Sequence, residues 1–428
     1  MRRLHALLAP TIPLFVALTA SAQAPIDPTQ ATTAFAEAKT LSDRDAGKLW
    51  HTPLYGPMLF VDPETNTIAT NVLDGNSTLH ADHGIFIGAL PKNFPVANTA
   101  VQWSGTYWTM ILWPLPTDSL ARQRLMAHEL FHRIQAGIHL PPSNPNNPHL
   151  DSLNGRLWIE LEWRALGVAL LSTGHAQDQA IQDAIAFRAH RQSLFPGSQE
   201  SERSLDLNEG LAEYTGVAAS APDVPSAHWR AASRAISPGA TDTFVRSFSY
   251  ITGPAYGLLL DERLPNWRTH LTPTSDITTL LASTSTPIPP SDVEAHAIPY
   301  GIAALRISET ERSIHAEDAR AHYRTLFIDG PTLTLATTDH LNYSFDPNEV
   351  VPLGDAGTVH PTMQVTDDWG SLQAQQGVLL GTGHVVIAVP PSTTGAHITG
   401  PGYTLDLNPG WKIVPSSRSG SYELHYTP

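Results

Sequence analysis

The chain has 428 residues, of which 15% are charged, and a formal net charge of −15 with histidine neutral. It contains no cysteine, which excludes disulfide bonds, thiolate metal ligands, a cysteine nucleophile and a lipid-modified N-terminal cysteine. Its basic residues form no cluster denser than isolated pairs, so we expect no nucleic-acid partner.

The first 24 residues have the pattern of a cleaved secretory signal. Arg2 and Arg3 precede an apolar stretch over residues 4–20, and Ala22-Gln23-Ala24 offers the small residues that a signal peptidase accepts. No later segment approaches the roughly 18 uninterrupted apolar residues of a membrane helix. We therefore expect a secreted or periplasmic protein without a membrane span, and the absence of cysteine favours a bacterial source.

Hydrophobic periodicity then predicts one helix followed by strands. Residues 29–50 have an amphipathic helical pattern, and residues 56–61 and 67–72 resemble strands separated by turn residues. The apolar, β-rich run over residues 107–113 ends at prolines and predicts a further strand. We interpret it as the edge strand of a catalytic sheet, which can bind an extended peptide through main-chain hydrogen bonds. The alternative is an ordinary buried strand.

The run His128-Glu129-Leu130-Phe131-His132 is the most informative pattern in the chain. With 20 His and 16 Glu in 428 residues, this spacing is expected by chance only about 0.03 times. On a helix, residues four apart lie on one face, so His128 and His132 can bind the same metal ion. Glu129 can then take a proton from water whose pKa zinc lowers to about 7, which predicts a hydrolase.

The surrounding residues predict the helix that this pattern needs. Residues 119–136 contain neither proline nor glycine, Asp118 offers an N-cap, and Gly137 offers a stop. The alternative is a solvated helix whose two histidines are incidental. A catalytic zinc usually has three protein ligands and an open position, so we expect one zinc per chain and a third ligand downstream. Cobalt, nickel or manganese can also occupy such a site.

A second short helix is predicted over residues 207–214, with Ser204 or Asp206 as its cap. It carries two carboxylates four residues apart. If Glu209 binds the metal, Glu213 lies one turn further along the same face. There it can accept a hydrogen bond from the far ring nitrogen of a ligating histidine.

Two other glutamates compete for the role of third ligand. The segment between the two predicted helices, about residues 150–196, has a helical pattern that Pro196-Gly197 interrupts. Within it, residues 157–166 contain Glu160 and Glu162. Either can be the third ligand instead of Glu209, and the alternative for both is pairing with arginine at the surface.

The last third of the chain changes character. Residues 250–263 have a helical pattern, residues 272–290 form a Thr-, Ser- and Pro-rich loop or boundary, and a small all-β module is predicted from about residue 329. The module is expected either to pack as an appendage or to dock substrates, a cell surface or glycans. Its turn signals are Pro401-Gly402 and Pro409-Gly410. Its predicted strands cover residues 332–337, 384–389, 403–407 and 421–426.

These motifs together resemble a family. His128-Glu129-x-x-His132 followed by Asn208-Glu209-Gly210-x-Ala212 resembles the gluzincin metallopeptidases, and the second motif is similar to the aminopeptidase N branch in particular. The resemblance implies that Glu209 is the third zinc ligand. Tyr250-Ile251-Thr252-Gly253 resembles the helix start that supplies a transition-state tyrosine in that branch, which implies that Tyr250 stabilises the oxyanion. The alternative for Tyr250 is a buried core residue, and Tyr256 and Tyr214 are rivals for the role.

The resemblance covers three short islands within residues 128–255, and the chain departs from the family twice. The link between His132 and Glu209 has 76 residues, whereas the family link is far shorter. The segment over residues 88–93 lacks the glutamate that binds a free amino terminus in the aminopeptidase branch. The choice between exopeptidase and endopeptidase therefore stays open.

The predicted fold class is α+β. We expect a signal over residues 1–24, a zincin-like metallopeptidase domain with a mixed sheet and active-site helices over residues 25–320, a helical insertion at about residues 150–196, and a β-rich module over residues 329–428. The predicted function is an exported zinc peptidase that acts on peptides or proteins with Glu129 as general base. The alternative is a secreted, non-catalytic binding protein whose β module carries the function.

Overall fold

The computed structural model describes residues 26–91, 94–239, 243–345 and 350–427. The predicted signal and the end of the 88–93 segment lie outside the described residues. The described chain is a mixed α+β protein with several helices and three sheets, which confirms the α+β class. It divides into two compact units, and the second begins at Gln135.

The first unit contains helix α1 (Pro28–Asp45), a mixed sheet and helix α2 (Ser119–Gln135), which ends at the boundary between the units. The order across the sheet is β3-β4-β2-β1-β6-β5; β1 and β6 are parallel, and the other neighbours are antiparallel. Its strands are β1 (Met58–Val61), β2 (Thr67–Thr70), β3 (His80–Asp82), β4 (Ile85–Ala89), β5 (Thr99–Trp103) and β6 (Thr106–Leu112).

The core of this unit covers both faces of β1. Leu59 and Val61 pack in a buried cluster with Trp108, while the Phe60 ring stacks on Phe35 of α1 with the ring centroids 4.3 Å apart. Alternate residues of a strand point to opposite faces. Leu59 and Val61 therefore face the buried cluster, while Phe60 faces α1. The helix predicted over residues 29–50 forms as α1, which begins after the N-cap Asp27 and ends at Asp45, five residues earlier than predicted.

The prediction that residues 107–113 form an edge strand is wrong. They form β6, which lies between β1 and β5, and β5 is at the edge of the sheet. Four consecutive β6 residues are buried. A continuous apolar run is typical of a strand covered on both faces, so the alternative of a buried strand is the correct one.

Helices form the first part of the second unit. Ser152 caps α3 and accepts a hydrogen bond from the Gly155 backbone N–H at 3.1 Å. The helical pattern predicted for residues 157–166 is confirmed in α3, and the break at Gly197 is confirmed by its φ of 88°. The helices are α3 (Leu153–Leu171), α4 (Gly174–Leu194), α5 (Ser198–Leu205), α6 (Leu211–Ser220), α7 (Val224–Ile236), α8 (Ser249–Arg263), α9 (Ile277–Ala282), α10 (Val293–His296) and α11 (Ile302–Arg324).

Shorter helical turns connect these elements. The predicted loop over residues 272–290 is partly wrong, because Asp276 caps α9 within it through the backbone N–H groups of Thr278 and Thr279. Two π-helical turns cover Asp206–Gly210 and Thr325–Asp329. The 3-10 turns are Pro148–Asp151, Trp267–His270, Pro290–Asp292, Ile298–Tyr300 and Gly354–Ala356.

Two sheets follow α11, with strand orders β17-β18-β7-β14-β13-β10-β9 and β15-β16-β12-β11-β8. Leu333 and Ile387 of the first sheet share one buried core with Leu372 and Leu405 of the second. The four predicted strands form in this region. The strands are β7 (Thr332–Ala336), β8 (Asn342–Phe345), β9 (Val351–Pro352), β10 (Thr358–His360), β11 (Met363–Asp367), β12 (Gly370–Ala374), β13 (Val378–Gly381), β14 (His384–Ala388), β15 (His397–Gly400), β16 (Tyr403–Leu407), β17 (Trp411–Pro415) and β18 (Tyr422–Tyr426).

Left-handed glycines make the two predicted turns. Gly402 has a φ of 69° and connects β15 to β16, while Gly410 has a φ of 90° and connects β16 to β17. Glycine adopts this backbone region without the steric penalty of a side chain. Within the part of the chain that the structure describes, every helix is too short or too polar to cross a lipid bilayer.

Candidate metal centre

Helix α2 brings its two histidines together as the spacing predicts. The Nε2 atoms of His128 and His132 lie 3.2 Å apart, and the rings meet edge to face at 69°. A zinc ion bound at about 2.0–2.1 Å to two nitrogens with a tetrahedral angle holds them about 3.4 Å apart. The pair therefore suits chelation of one ion. The same separation suits a direct hydrogen bond between the rings, so the third ligand decides between the two.

Packing within the first unit fixes α2. Asp118 caps its first turn and accepts from the Ala121 backbone N–H at 2.7 Å, as predicted. Near its other end, the buried Phe131 ring packs 4.9 Å from the Trp50 ring. Arg133 Nη2 also donates to the Leu54 carbonyl at 2.8 Å. These contacts fix the rotation of the helix and with it the direction of the imidazoles.

Glu129 lies on the same helix, directly after His128, and is only 4% exposed. A general base must lie within hydrogen-bond reach of the proton that it removes. Glu129 directly follows His128 and precedes His132 by three residues, so its carboxylate lies next to the two histidines.

Glu209 lies in the π-helical turn between α5 and α6. The predicted caps Ser204 and Asp206 are wrong, because the helical run already begins at Ser198, after the break at Gly197. Asp206 is therefore internal, and its carboxylate accepts from other helices instead. Single π-helical turns occur often at functional sites, because they displace a side chain from its regular helical position.

Hydrogen bonds hold the Glu209 carboxylate in one orientation. Oε2 accepts from the Tyr250 hydroxyl at 2.7 Å, and Oε1 accepts from Asn208 Nδ2 at 3.2 Å. Asn208 Oδ1 accepts in turn from Gln135 Nε2 at 2.9 Å. The Arg246 guanidinium lies 3.6 Å from Oε1. A carboxylate oriented in this way is suited to bind a cation at a defined position.

The glycines of two of the resembling motifs meet at this turn. A Cβ added to Gly253 of α8 would lie 2.2 Å from the Cα of Gly210. The two backbones approach each other so closely that a side chain at position 253 has no room. The same approach brings Tyr250, one turn earlier on α8, to Glu209. The motifs Asn208-Glu209-Gly210 and Tyr250-x-x-Gly253 thus form two sides of one contact.

The structure groups His128, His132 and Glu209. One ligand atom from each lies within 4.8 Å of the other two, and Glu209 is 8% exposed. Two imidazoles and a carboxylate are a donor set of catalytic zinc sites. The group is the one that the sequence predicts, and it can hold a metal ion.

The competing glutamates have other partners. Glu162 accepts from the Tyr256 hydroxyl at 2.8 Å and from Arg191 Nη1 at 2.5 Å. The expected arginine partner is therefore present, but the expectation of a surface pair is wrong for Glu162, because it is fully buried. Glu160 lies beside Glu309, and burial together with that carboxylate raises its pKa to about 7. Among the described residues, neither belongs to the group of three ligands.

The remaining predicted residues lie near Glu209. Glu213 follows it by one helical turn on α6 and is 4% exposed. Tyr250 is the second residue of α8, and its hydroxyl donates to the predicted ligand itself. Its rivals have other acceptors: the Tyr214 hydroxyl donates to Asp261 at 2.7 Å, and that of Tyr256 donates to Glu162. The Tyr250 hydroxyl, in contrast, donates to Glu209 Oε2.

Sequence reasoning missed a buried ionic cluster next to the turn. Arg188 of α4 donates to Asp206 at 2.6 Å, and Arg191 donates to Glu202 at 2.9 Å. Burial raises the pKa of Asp206 to about 6 despite the neighbouring guanidinium. Burial also acts to raise the pKa of Glu202, but Arg191, His149 and Arg188 together outweigh it and hold that pKa below its usual range.

Arg246 was missed as well. It precedes Tyr250 by four residues, a helical-turn spacing that is the signal in the sequence that could have revealed it. The resemblance to gluzincins rests on the residues of three motifs. In comparisons with known proteins, no family model, no curated protein and no solved structure matches this chain.

Proposed function

We propose that this protein is an exported zinc-dependent peptidase of the gluzincin type, with a zincin-like catalytic region and a C-terminal all-β module. The observation that carries the proposal is the grouping of one ligand atom each from His128, His132 and Glu209 within 4.8 Å. The buried Glu129 beside His128 supplies the carboxylate that hydrolysis needs.

The donor set favours catalysis over a purely structural site. Structural zinc sites close all four positions with protein ligands, whereas three ligands leave one position for water or substrate. Zinc, when bound, lowers the pKa of water and polarises a carbonyl oxygen. Three protein ligands would therefore leave one position on the ion for a reactant. A purely structural site does not need such an open position.

Each nearby residue then has a role in the chemistry. Glu129 takes the proton from the attacking water and delivers it to the leaving amine. Tyr250 supplies a hydroxyl beside Glu209. We assign to this hydroxyl the role of stabilising the negative charge that develops on the tetrahedral intermediate. Glu213 is assigned to the far ring nitrogen of a ligating histidine, which fixes the tautomer of that ring.

Metal content tests the site. After exhaustive dialysis, the wild-type protein should retain about one zinc per chain. Glu209→Ala should lose it, while the matched control Glu160→Ala should keep it. A wild-type protein that binds no metal even after reconstitution, or a Glu160→Ala variant that loses the metal while Glu209→Ala keeps it, contradicts the assignment.

Turnover tests the mechanism. Glu129→Gln preserves the volume and removes the base, so it should retain zinc and a wild-type unfolding transition while losing hydrolysis of a peptide mixture followed by mass spectrometry. Removing a general base typically costs about 10²–10⁴-fold in rate. Undiminished hydrolysis by Glu129→Gln would refute the role of this residue.

A further inference from the structure

Arg246 is a cation beside the proposed third ligand that the chemistry above does not use. Its side chain is 49% exposed, and its Nη2 lies 3.6 Å from Glu209 Oε1. Its Nη1 donates to the side-chain oxygen of Asn144. The guanidinium is thus held between an exposed asparagine and the ligand carboxylate, and half of its surface faces water.

The contact with Glu209 does not saturate this guanidinium. A separation of 3.6 Å is longer than a hydrogen bond. Tyr250 and Asn208 already donate to the two oxygens of Glu209 at bonding distance. Arginine has five N–H donors in a planar fork, and the bond to Asn144 uses one of them. The fork can therefore donate two parallel hydrogen bonds to a second carboxylate.

The sign of the charge selects the end of a peptide. A cation at this position repels a free amino terminus and attracts a free carboxyl terminus. The aminopeptidase branch that the motifs resemble instead uses a glutamate, and residues 88–93 lack one. Both observations favour the carboxyl terminus as the end that is bound here.

The distance also suits the carboxyl terminus. One residue of extended chain spans about 3.3–3.6 Å, so the terminal carboxylate follows the last peptide carbonyl at about that separation. Arg246 Nη2 is 3.6 Å from an oxygen of Glu209, which is proposed to bind the ion that polarises this carbonyl. The guanidinium and the proposed ion thus both lie at the Glu209 carboxylate, so a substrate with its last peptide bond at the ion can bring its terminal carboxylate within reach of Arg246.

We propose, on the basis of the proposed function, that Arg246 oriented by Asn144 binds the terminal carboxylate of a peptide, so that the enzyme releases the last residue of peptides with a free carboxyl terminus. The substrate class is therefore carboxyl-terminal peptides. Arg246 determines specificity, and Asn144 positions it.

Paired peptides test this inference. Two peptides of identical sequence, one ending in a carboxylate and one in an amide, should differ in kcat/KM on the wild-type enzyme by on the order of 10- to 100-fold in favour of the carboxylate, the effect of one charged hydrogen-bonded pair. The difference should lie mainly in KM. Arg246→Ala should remove it, Arg246→Lys should restore part of it, and the control Arg306→Ala should leave it unchanged.

A binding measurement separates this inference from the peptidase itself. Calorimetry on the metal-free Glu129→Gln protein should show tighter binding of the carboxylate peptide than of the amide peptide, and the additional substitution Arg246→Ala should abolish that difference. Equal binding and equal turnover of the two peptides would overturn the inference, and the peptidase would stand. Absence of zinc and of turnover, with the binding preference retained, would overturn the proposed function and leave the carboxylate site.

Discussion

The contact between Gly210 and Gly253 allows a test of what fixes the ligand turn, the π-helical turn Asp206–Gly210 that carries the proposed ligand Glu209. A Cβ added to Gly253 would lie 2.2 Å from the Cα and the carbonyl oxygen of Gly210 and 2.3 Å from its carbonyl carbon. Ordinary carbon contacts are about 3.5–4.0 Å. Since both sides of the contact are backbone, no flexible side chain can move away. In Gly253→Ala, helix α8 must therefore move away from the turn by more than about 1 Å.

The contacts that this shift disturbs set the loss in the free energy of unfolding. Overpacking of this kind costs about 1–3 kcal/mol. The shift also stretches the 2.7 Å bond from Tyr250 to Glu209 and the 2.6 Å bond from Thr252 to Asp206. Each is a hydrogen bond to a carboxylate, worth about 1.5–3 kcal/mol. Alanine returns up to about 1 kcal/mol of helix propensity. With the bonds only partly lost, we expect a net loss of about 3 kcal/mol.

Gly210→Ala is the matched control. Its Cβ would lie 3.2 Å from the Gly253 Cα and 3.4 Å from Asp206 Oδ1, so a movement of a few tenths of an ångström suffices. The gain in helix propensity offsets that strain, and we expect a change within about 1 kcal/mol. Urea unfolding followed by circular dichroism measures both variants. Equal stability of Gly253→Ala and Gly210→Ala would refute the close backbone contact.

Three further predictions concern the buried charges and the metal. Arg191→Met removes one of the guanidinium groups that neutralise the buried Glu162 and Glu202, and it should cost about 3–5 kcal/mol in urea unfolding. Lys39→Met at an exposed pair should cost less than about 1 kcal/mol, and similar losses would contradict the buried cluster. Burial raises the pKa of Glu160 from 4.5 to about 7, so the stability tied to its protonated form is fully present below pH 4.5 and is lost as the pH rises through 7. Glu160→Gln should accordingly be more stable than wild type at about pH 8 and equal to it in acid, and unfolding free energies that differ equally at all pH values would exclude this. A chelator should lower the Tm of the wild-type protein and leave that of Glu209→Ala unchanged, because binding to the folded state alone stabilises it; an equal fall in both would place the metal elsewhere.

Local features of the chain were predictable from the sequence. Helix α2 was expected over residues 119–136 and forms over Ser119–Gln135, because a cap and a stop directly flank a run without proline or glycine. Strand β16 forms over Tyr403–Leu407 as predicted, between turns made by left-handed glycines. In both cases the determinants are neighbours in sequence.

Features that depend on distant residues were not predictable. The apolar run of β6 fits an edge strand and an internal strand equally well, and its pairing with β5 decides the question. Asp206 has the side chain of a cap, but Arg188 and Thr252, which are distant in sequence, occupy its carboxylate. Arg246 belongs to no motif, and its distance from Glu209 is visible only in the structure.

The two motifs downstream of α2, at residues 208–210 and 250–253, contact each other in the structure. Asp206 bonds Thr252, Glu209 bonds Tyr250, and Gly210 touches Gly253, so three contacts join the ligand turn to the first turns of α8. One close backbone contact thus determines where Tyr250 lies relative to Glu209, and Gly253 is the residue that permits it. A side chain at position 253 should therefore move Glu209 and Tyr250 together. For this reason the position of Glu209, the proposed third ligand, depends on α8 as much as on its own turn.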